Sequence, residues 1–508
     1  MTAGPAATES TKRTSRRIDL GALVVDGEGT VPLWIGGEPV AASAAIEDRS
    51  PATGERLAMV SQAATADVDR AVEAALNARV SWRGLGVPER AARVAELARR
   101  LEANLDGFAL LDALDTGSLV GPMRAGAGKG ATQLRGHAGV AIELQGRTIP
   151  ASATGWHLTK REPYGVVGAI SAYNHPTLFA CQRIGPPLVA GNTVVLKPSE
   201  QAPISAVALA ALSADLLPPG VLNVVPGGAT AGAAIVGHPA IPRVAFTGSV
   251  TTGLIVQETA ARSQTIKHVT LELGGKNPLL IFPDVDPRVA AAAAIKGMNF
   301  TRVQGQSCGS TSRLLVHSSL HDAVVEEMVR VVEAIRIGLP DDASAEMGSL
   351  VSHGHRDRLI AVVARSIDEG GTLLTGGGTP PDERLAAGAF MTPTVVDGVD
   401  QSMTIAQQEL FGPVLSVLDW DDLDEAVAVA NAVPYGLTAS IWTNDLTTAL
   451  TTADRLEVGY VWINDIETRY TGVPFGGWKQ SGIGSEQAMV HELESYTRLK
   501  AINIGVGH

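Results

Sequence analysis

Cys308, one of only two cysteines in the chain, stands in the polar segment Gly305-Gln306-Ser307-Cys308-Gly309. Glu272 lies upstream in the apolar setting Leu271-Glu272-Leu273-Gly274-Gly275-Lys276, and Asn174 further upstream in Ser171-Ala172-Tyr173-Asn174-His175-Pro176. A thiolate can attack a carbonyl carbon, an amide N–H can hold the oxyanion that forms, and a carboxylate can activate water. A lone cysteine is usually buried packing material, which is the reading for Cys181, since it follows Leu178-Phe179-Ala180 on an apolar helical stretch. The loop-like surroundings of Cys308 favour a nucleophile instead.

The elements that must position these residues show in the pattern of apolar runs. Val166–Ile170, Thr193–Leu196, Val221–Val225 and Val244–Phe246 are short and continuous, with Ala-rich helical stretches between them. Runs without polar alternation belong to strands covered on both faces, and the strand–helix alternation predicts a parallel sheet. Before them, Val68, Ala71, Val72, Ala75 and Leu76 predict one helix, capped by Asp67 or Thr65; Pro88 opens a second with Val94, Leu97, Ala98 and Leu101. The two are expected to cover one face of a sheet. A second strand–helix series follows residue 275, with an Ala-rich helix over 288–298 and Arg313–Val316 as a strand.

Parallel sheets of this kind bind ligands at the carboxyl ends of their strands. Two such ends carry Lys197-Pro198-Ser199-Glu200 and Thr247-Gly248-Ser249-Val250-Thr251-Thr252-Gly253. The second lacks the Gly-x-Gly-x-x-Gly fingerprint. Its glycines still admit close backbone approach, and Ser249 with a helix N-terminus can donate to a pyrophosphate.

The order and flanking residues of Asn174, Glu272 and Cys308 resemble the aldehyde dehydrogenase superfamily, from about residue 33 to the C-terminus. The segments Asn299-Phe300-Thr301 and Gly305–Arg313 also resemble a bacterial group acting on aromatic and carboxylated aldehydes. The resemblance implies an α/β protein with a Rossmann-like NAD-binding domain (33–145 and 163–274), an α/β catalytic domain (275–478) and a small β bridging and oligomerisation element (146–162 and 479–508). Residues 1–32 form an N-terminal arm. The implied reaction is NAD-dependent oxidation of an aldehyde through a Cys308 thiohemiacetal and a thioester, hydrolysed by water that Glu272 activates. Asn174 and the Cys308 backbone N–H would hold the oxyanion.

For the cofactor, the resemblance assigns Lys197 and Glu200 to the adenosine ribose and Gly248, Ser249 and Gly253 to the pyrophosphate. Glu409 of Gln408-Glu409-Leu410-Phe411-Gly412-Pro413 is assigned to the nicotinamide ribose, with Phe411 packed nearby. A carboxylate at 200 repels a 2′-phosphate, so NAD is expected over NADP. Asn464 is expected to brace Asn174. Glu486 matches an acid that some relatives use with a lysine in proton relay, but the lysine position holds Arg183, which does not readily surrender a proton, so no relay is assigned. Arg302 and Arg469 occupy positions that are commonly aromatic. They suit a substrate carboxylate by bidentate pairing, unless either turns to a surface acid such as Glu467. The partners implied are a small-molecule aldehyde and further copies of the chain, as homodimer or homotetramer. The alternatives are a CoA-acylating semialdehyde dehydrogenase, whose relatives generally lack the base at the Glu272 position, and a non-catalytic binding or structural protein on the same scaffold.

At 508 residues the chain exceeds a single ordinary core. A net charge of -13 argues against a nucleic-acid partner. No apolar stretch approaches the roughly 18 residues of a membrane helix, and the run behind Arg16-Arg17 is too broken for an export signal. Two distant cysteines make neither a disulfide framework nor a metal-binding spacing. A cytoplasmic protein without a metal site is expected.

Overall fold

The computed structural model of the protein describes residues 29–506. The basic run Lys12-Arg13 and Arg16-Arg17, and the arm up to residue 28, lie outside the described residues. Two large sheets dominate. The first has eight strands in the order Gly482–Ile483, His268–Glu272, Arg243–Thr247, Val166–Ile170, Thr193–Lys197, Leu222–Val224, Leu33–Ile35 and Glu38–Val40. Its five central strands are parallel, and antiparallel strands finish both edges. Every residue of Val166–Ile170 and Thr193–Lys197 is buried, as continuous apolar runs require.

The second sheet has seven strands, with Arg313–His317 paired in parallel between Val414–Trp420 and Pro278–Ile281. A third, antiparallel sheet joins Thr148–Ser152, Gly155–Pro163 and the terminal strand Thr497–Gly505. Gly482–Ile483 falls in a segment expected to bridge subunits, yet it pairs with Leu271 and Glu272 in the first sheet.

The two early helices form as expected, over Thr65–Gly84 and Val87–Ala103, and Asp67 accepts the Ala64 N–H at 2.9 Å. The expectation that they share one sheet face is corrected. Val68, Ala71, Val72 and Ala75 pack with Val195 and Val225, whereas Val94, Leu97, Ala98 and Leu101 pack with Val194 and Leu196. Adjacent strand residues point to opposite faces, so the helices lie on opposite sides. Trp82 marks the crossing: it joins the second cluster, and its indole N–H donates to the Leu188 carbonyl at 3.1 Å.

Candidate active site

Four neighbouring parallel strands of the first sheet deliver site residues at their carboxyl ends. Val166–Ile170 leads to Asn174, Thr193–Lys197 ends on Lys197, Arg243–Thr247 leads to Gly248 and Ser249, and His268–Glu272 ends on Glu272. The second sheet supplies Cys308 from the loop entering Arg313–His317. Asn174, Glu272, Cys308, Lys197, Glu200, Gly248, Ser249, Glu409 and Phe411 all line one cleft of about 820 Å³. Residues far apart in sequence thus face one space.

Asn174 is buried, and its Nδ2 donates to the Gln306 carbonyl at 2.8 Å. One amide hydrogen therefore fixes the side chain to the nucleophile loop, and the other is left for an oxyanion. Gln306 ties this corner further: Oε1 accepts the Tyr173 hydroxyl at 3.1 Å and the Val351 N–H at 3.1 Å. Below the thiol, Asn277 Nδ2 donates to the carbonyls of Cys308 at 2.7 Å and Ser310 at 2.9 Å, while its Oδ1 accepts the Thr438 N–H at 3.0 Å. Gln306 and Asn277 were missed in sequence because their work is done through backbone atoms. No spacing rule marks a residue of that kind.

Burial pushes the Cys308 thiol up to about 11; Glu409 and Glu272 add to the rise, and the Arg469 guanidinium, within hydrogen-bonding range of the sulfur, opposes it. The Glu272 carboxyl is likewise driven well above the ordinary carboxylate range by burial, with the Glu486 charge adding and Arg183 and Arg469 opposing. Its Oε1 is buried without a hydrogen-bond partner. A buried, unpaired carboxyl in a cleft is costly unless it serves a reaction. Glu486 is paired with the fully buried Arg183, whose other nitrogen donates to Thr247 Oγ1. An arginine in that place fixes charge and passes no proton.

The dinucleotide end of the cleft fits its expected ligand. Lys197 Nζ donates to the carbonyls of Pro198 at 2.9 Å and Gly227 at 2.5 Å and pairs with Glu200 at 3.3 Å, leaving the Glu200 side chain half exposed at the strand end. Ser249 caps the helix Val250–Arg262, accepting the Thr252 N–H at 3.3 Å. Gly248 lines the cleft; Gly253 does not. A Cβ on Gly253 would meet the side chain of Leu273, which lines the cleft, at 2.7 Å, so that glycine lets its helix pack closely at this end of the site. Glu409 Oε1 accepts the Gly275 N–H at 3.1 Å, and burial brings this carboxyl up to about 7. Phe411 stands edge-on to Tyr173 with ring centroids 5.8 Å apart.

Three further expectations meet the structure with mixed results. Asn464 does not brace Asn174: it exchanges hydrogen bonds with the backbone of Thr443, at 3.1 and 2.8 Å. Arg302 turns to Glu467 at 3.1 Å, because that carboxylate, 8% exposed, needs a cation beside it. Arg469 turns inward. Its guanidinium carbon sits 3.8 Å above the Phe475 ring, and a Cβ on Gly309 would lie 3.0 Å from its Nη2. Among the described residues, no group of three or more His, Cys, Asp or Glu could hold a metal ion, and no helix is long and apolar enough to cross a membrane.

Comparison with known proteins agrees with this arrangement. A sequence model described as the aldehyde dehydrogenase family matches residues 39–502. The chain is 41% identical to the aldehyde dehydrogenase tropH of Talaromyces stipitatus over 468 residues, covering 91% of this chain and 90% of that one. Among solved structures, it superposes with a TM-score of 0.90 on an NAD+ complex of aldehyde dehydrogenase from Bacillus cereus, at 37% identity, covering 94% and 96% of the two chains. An indole-3-acetaldehyde dehydrogenase complexed with NAD+ gives the same TM-score of 0.90 and 37% identity, again over 94% and 96%.

Proposed function

Because the chain belongs to the aldehyde dehydrogenase family, we propose that it oxidises an acid-bearing or aromatic aldehyde to the carboxylic acid with NAD as cofactor. One observation supports this reading above the rest: Cys308, Glu272 and Asn174 share a single cleft with Lys197, Glu200, Ser249 and Glu409. The half-exposed Glu200 carboxylate favours NAD over NADP, since a 2′-phosphate there would meet like charge. When bound, the dinucleotide supplies the acceptor for the hydride leaving the carbonyl carbon.

The chain's own residues perform the rest. The Cys308 thiol gives up its proton to solvent, and its sulfur bonds to the aldehyde carbon as the carbonyl π bond opens. The spare Asn174 N–H and the Cys308 backbone N–H hold the oxygen as it becomes an anion; one such donor is typically worth about 100- to 1,000-fold in rate. Loss of hydride leaves a thioester on Cys308. Glu272 then takes a proton from water, the hydroxyl bonds to the thioester carbon, and the carbon–sulfur bond breaks to release the acid and the thiolate. Glu272 supports water over CoA as the resolving nucleophile. Homodimer or homotetramer formation through the terminal sheet and residence in the cytoplasm, where Cys181 and Cys308 stay as free thiols, complete the proposal. The division into a cofactor domain, a catalytic domain and a bridge is supported by three of the five sheets among the described residues: the eight-stranded, the seven-stranded and the one that ends in Thr497–Gly505.

Cys308→Ala tests the core of this reading. It should abolish NADH formation from aldehydes while NAD binding, read by calorimetry, persists. Turnover that survives the substitution ends the mechanism.

A further inference from the structure

Lys129 lies on the helix Val120–Gly139, between two glycines packed close to the site. A Cβ on Gly126 would lie 3.5 Å from His175 Nδ1, and one on Gly130 would lie 3.0 Å from Cys181 Sγ. Residues three apart share a helix face, so Lys129 emerges beside His175, the neighbour of Asn174. The charged groups acting on it are Arg469, Arg302 and Glu467. His175 feels the same two arginines and Lys129, and burial holds it neutral, well below its ordinary range.

Of the charged groups acting on one another around Lys129, three are cations, Lys129, Arg302 and Arg469, and one is a carboxylate. That carboxylate, Glu467, is committed to Arg302 at 3.1 Å. No hydrogen bond or ion pair formed among the described residues includes the side chain of Lys129, and no ion pair includes Arg469. Half-buried cations in excess are costly unless a ligand neutralises them.

We propose that Lys129 is a specificity-determining residue that, with Arg469, binds the carboxylate of an acid-bearing aldehyde whose carbonyl is presented to Cys308. The proposal rests on the reading of this cleft as an aldehyde-oxidising site and replaces Arg302 by Lys129 as the second anion-binding group. It carries a pH signature. Burial, with repulsion from Arg469 and Arg302 and opposed by Glu467, brings the Lys129 ammonium down to about 8. The cation is present near neutral pH and is lost as pH rises through that value. Neutral His175, held well below its ordinary range, does not titrate there.

The test compares 4-carboxybenzaldehyde with 4-methylbenzaldehyde as substrates of the full-length wild-type enzyme and of Lys129→Met, Lys129→Arg and Arg469→Ala. Lys129→Met should raise KM for the carboxylated aldehyde about 10- to 100-fold, the worth of one charge-assisted contact, and leave the methyl compound within about twofold. Lys129→Arg should restore binding. The wild-type ratio of kcat/KM for the two substrates, in which thiol ionisation cancels, should fall as pH rises above about 8 and stay flat in Lys129→Arg. Equal changes for both substrates, no change for either, or a flat wild-type ratio overturns the role of Lys129; the ratio needs no Met variant, so misfolding cannot hide the answer. Discrimination lost in Arg469→Ala but kept in Lys129→Met leaves the acid-bearing substrate standing and removes Lys129 alone. A wild-type enzyme that oxidises no aldehyde removes the underlying function and the proposal with it.

Discussion

At the scale of single residues, the site combines two acids whose ionisation is resisted. Cys308 is held up to about 11 and Glu272 well above the usual carboxylate range, both first of all by burial. Each must be ionised to act, so kcat for a neutral aldehyde should climb as pH rises from neutrality, with the charged forms gained rather than lost. A rate that falls over that range contradicts the assignment. Glu272→Gln keeps the shape and removes the base; deacylation should slow by about 100- to 10,000-fold, and an acyl adduct on Cys308 should accumulate in intact-protein mass spectrometry. Cys308, Glu272 and Asn174 could be singled out in the sequence because each proposed chemistry demands a particular side-chain type, and all three line one cleft. The orientation of Arg302 and Arg469 was not legible, because a guanidinium goes to whichever carboxylate or ring the fold brings within reach: Glu467 meets Arg302 from a distant segment, and Phe475, in the same segment as Arg469, comes under its guanidinium only as that loop folds.

At the scale of elements, the Asn277 amide ties the nucleophile loop to the second sheet. Asn277 sits just before Pro278–Ile281, is buried, and spans from the Cys308 and Ser310 carbonyls to the Thr438 N–H. Asn277→Ala takes this partner from the Cys308 carbonyl and the Thr438 N–H, while the Ser310 carbonyl keeps the Ser312 N–H at 3.0 Å; each buried group left unsatisfied costs about 1–3 kcal/mol. A lower melting temperature in calorimetry should accompany a fall in kcat with bound NAD retained; unchanged kcat would show that the loop is fixed by other contacts. The strands themselves were readable from continuous apolar runs, and the helices from their stripes. The side of the sheet each helix takes was not readable, because an apolar stripe on Thr65–Gly84 or Val87–Ala103 says that a face is buried but not which side of the sheet buries it; Trp82, docked on Leu188, shows where the chain crosses.

At the scale of the whole molecule, the terminal strand Thr497–Gly505 pairs along Gly155–Pro163 and leaves its other edge open. Trp156, Leu499, Ile504 and Val506 are exposed apolar side chains on this sheet and just past it. Open edges with apolar neighbours invite pairing with another chain, so Leu499→Glu combined with Ile504→Glu should shift the sedimentation coefficient toward the monomer; an unmoved coefficient would put the subunit contact elsewhere. The sequence by itself determined which side chains can attack, stabilise and hydrolyse, and that alternating strands and helices would carry them, since residue chemistry and periodicity are local properties. Tertiary structure alone decided which charges neutralise one another, that Gly253 packs against Leu273, and that Gln306 and Asn277 hold the nucleophile loop. Those outcomes depend on distances between segments that are not neighbours in sequence, and only the folded chain sets them.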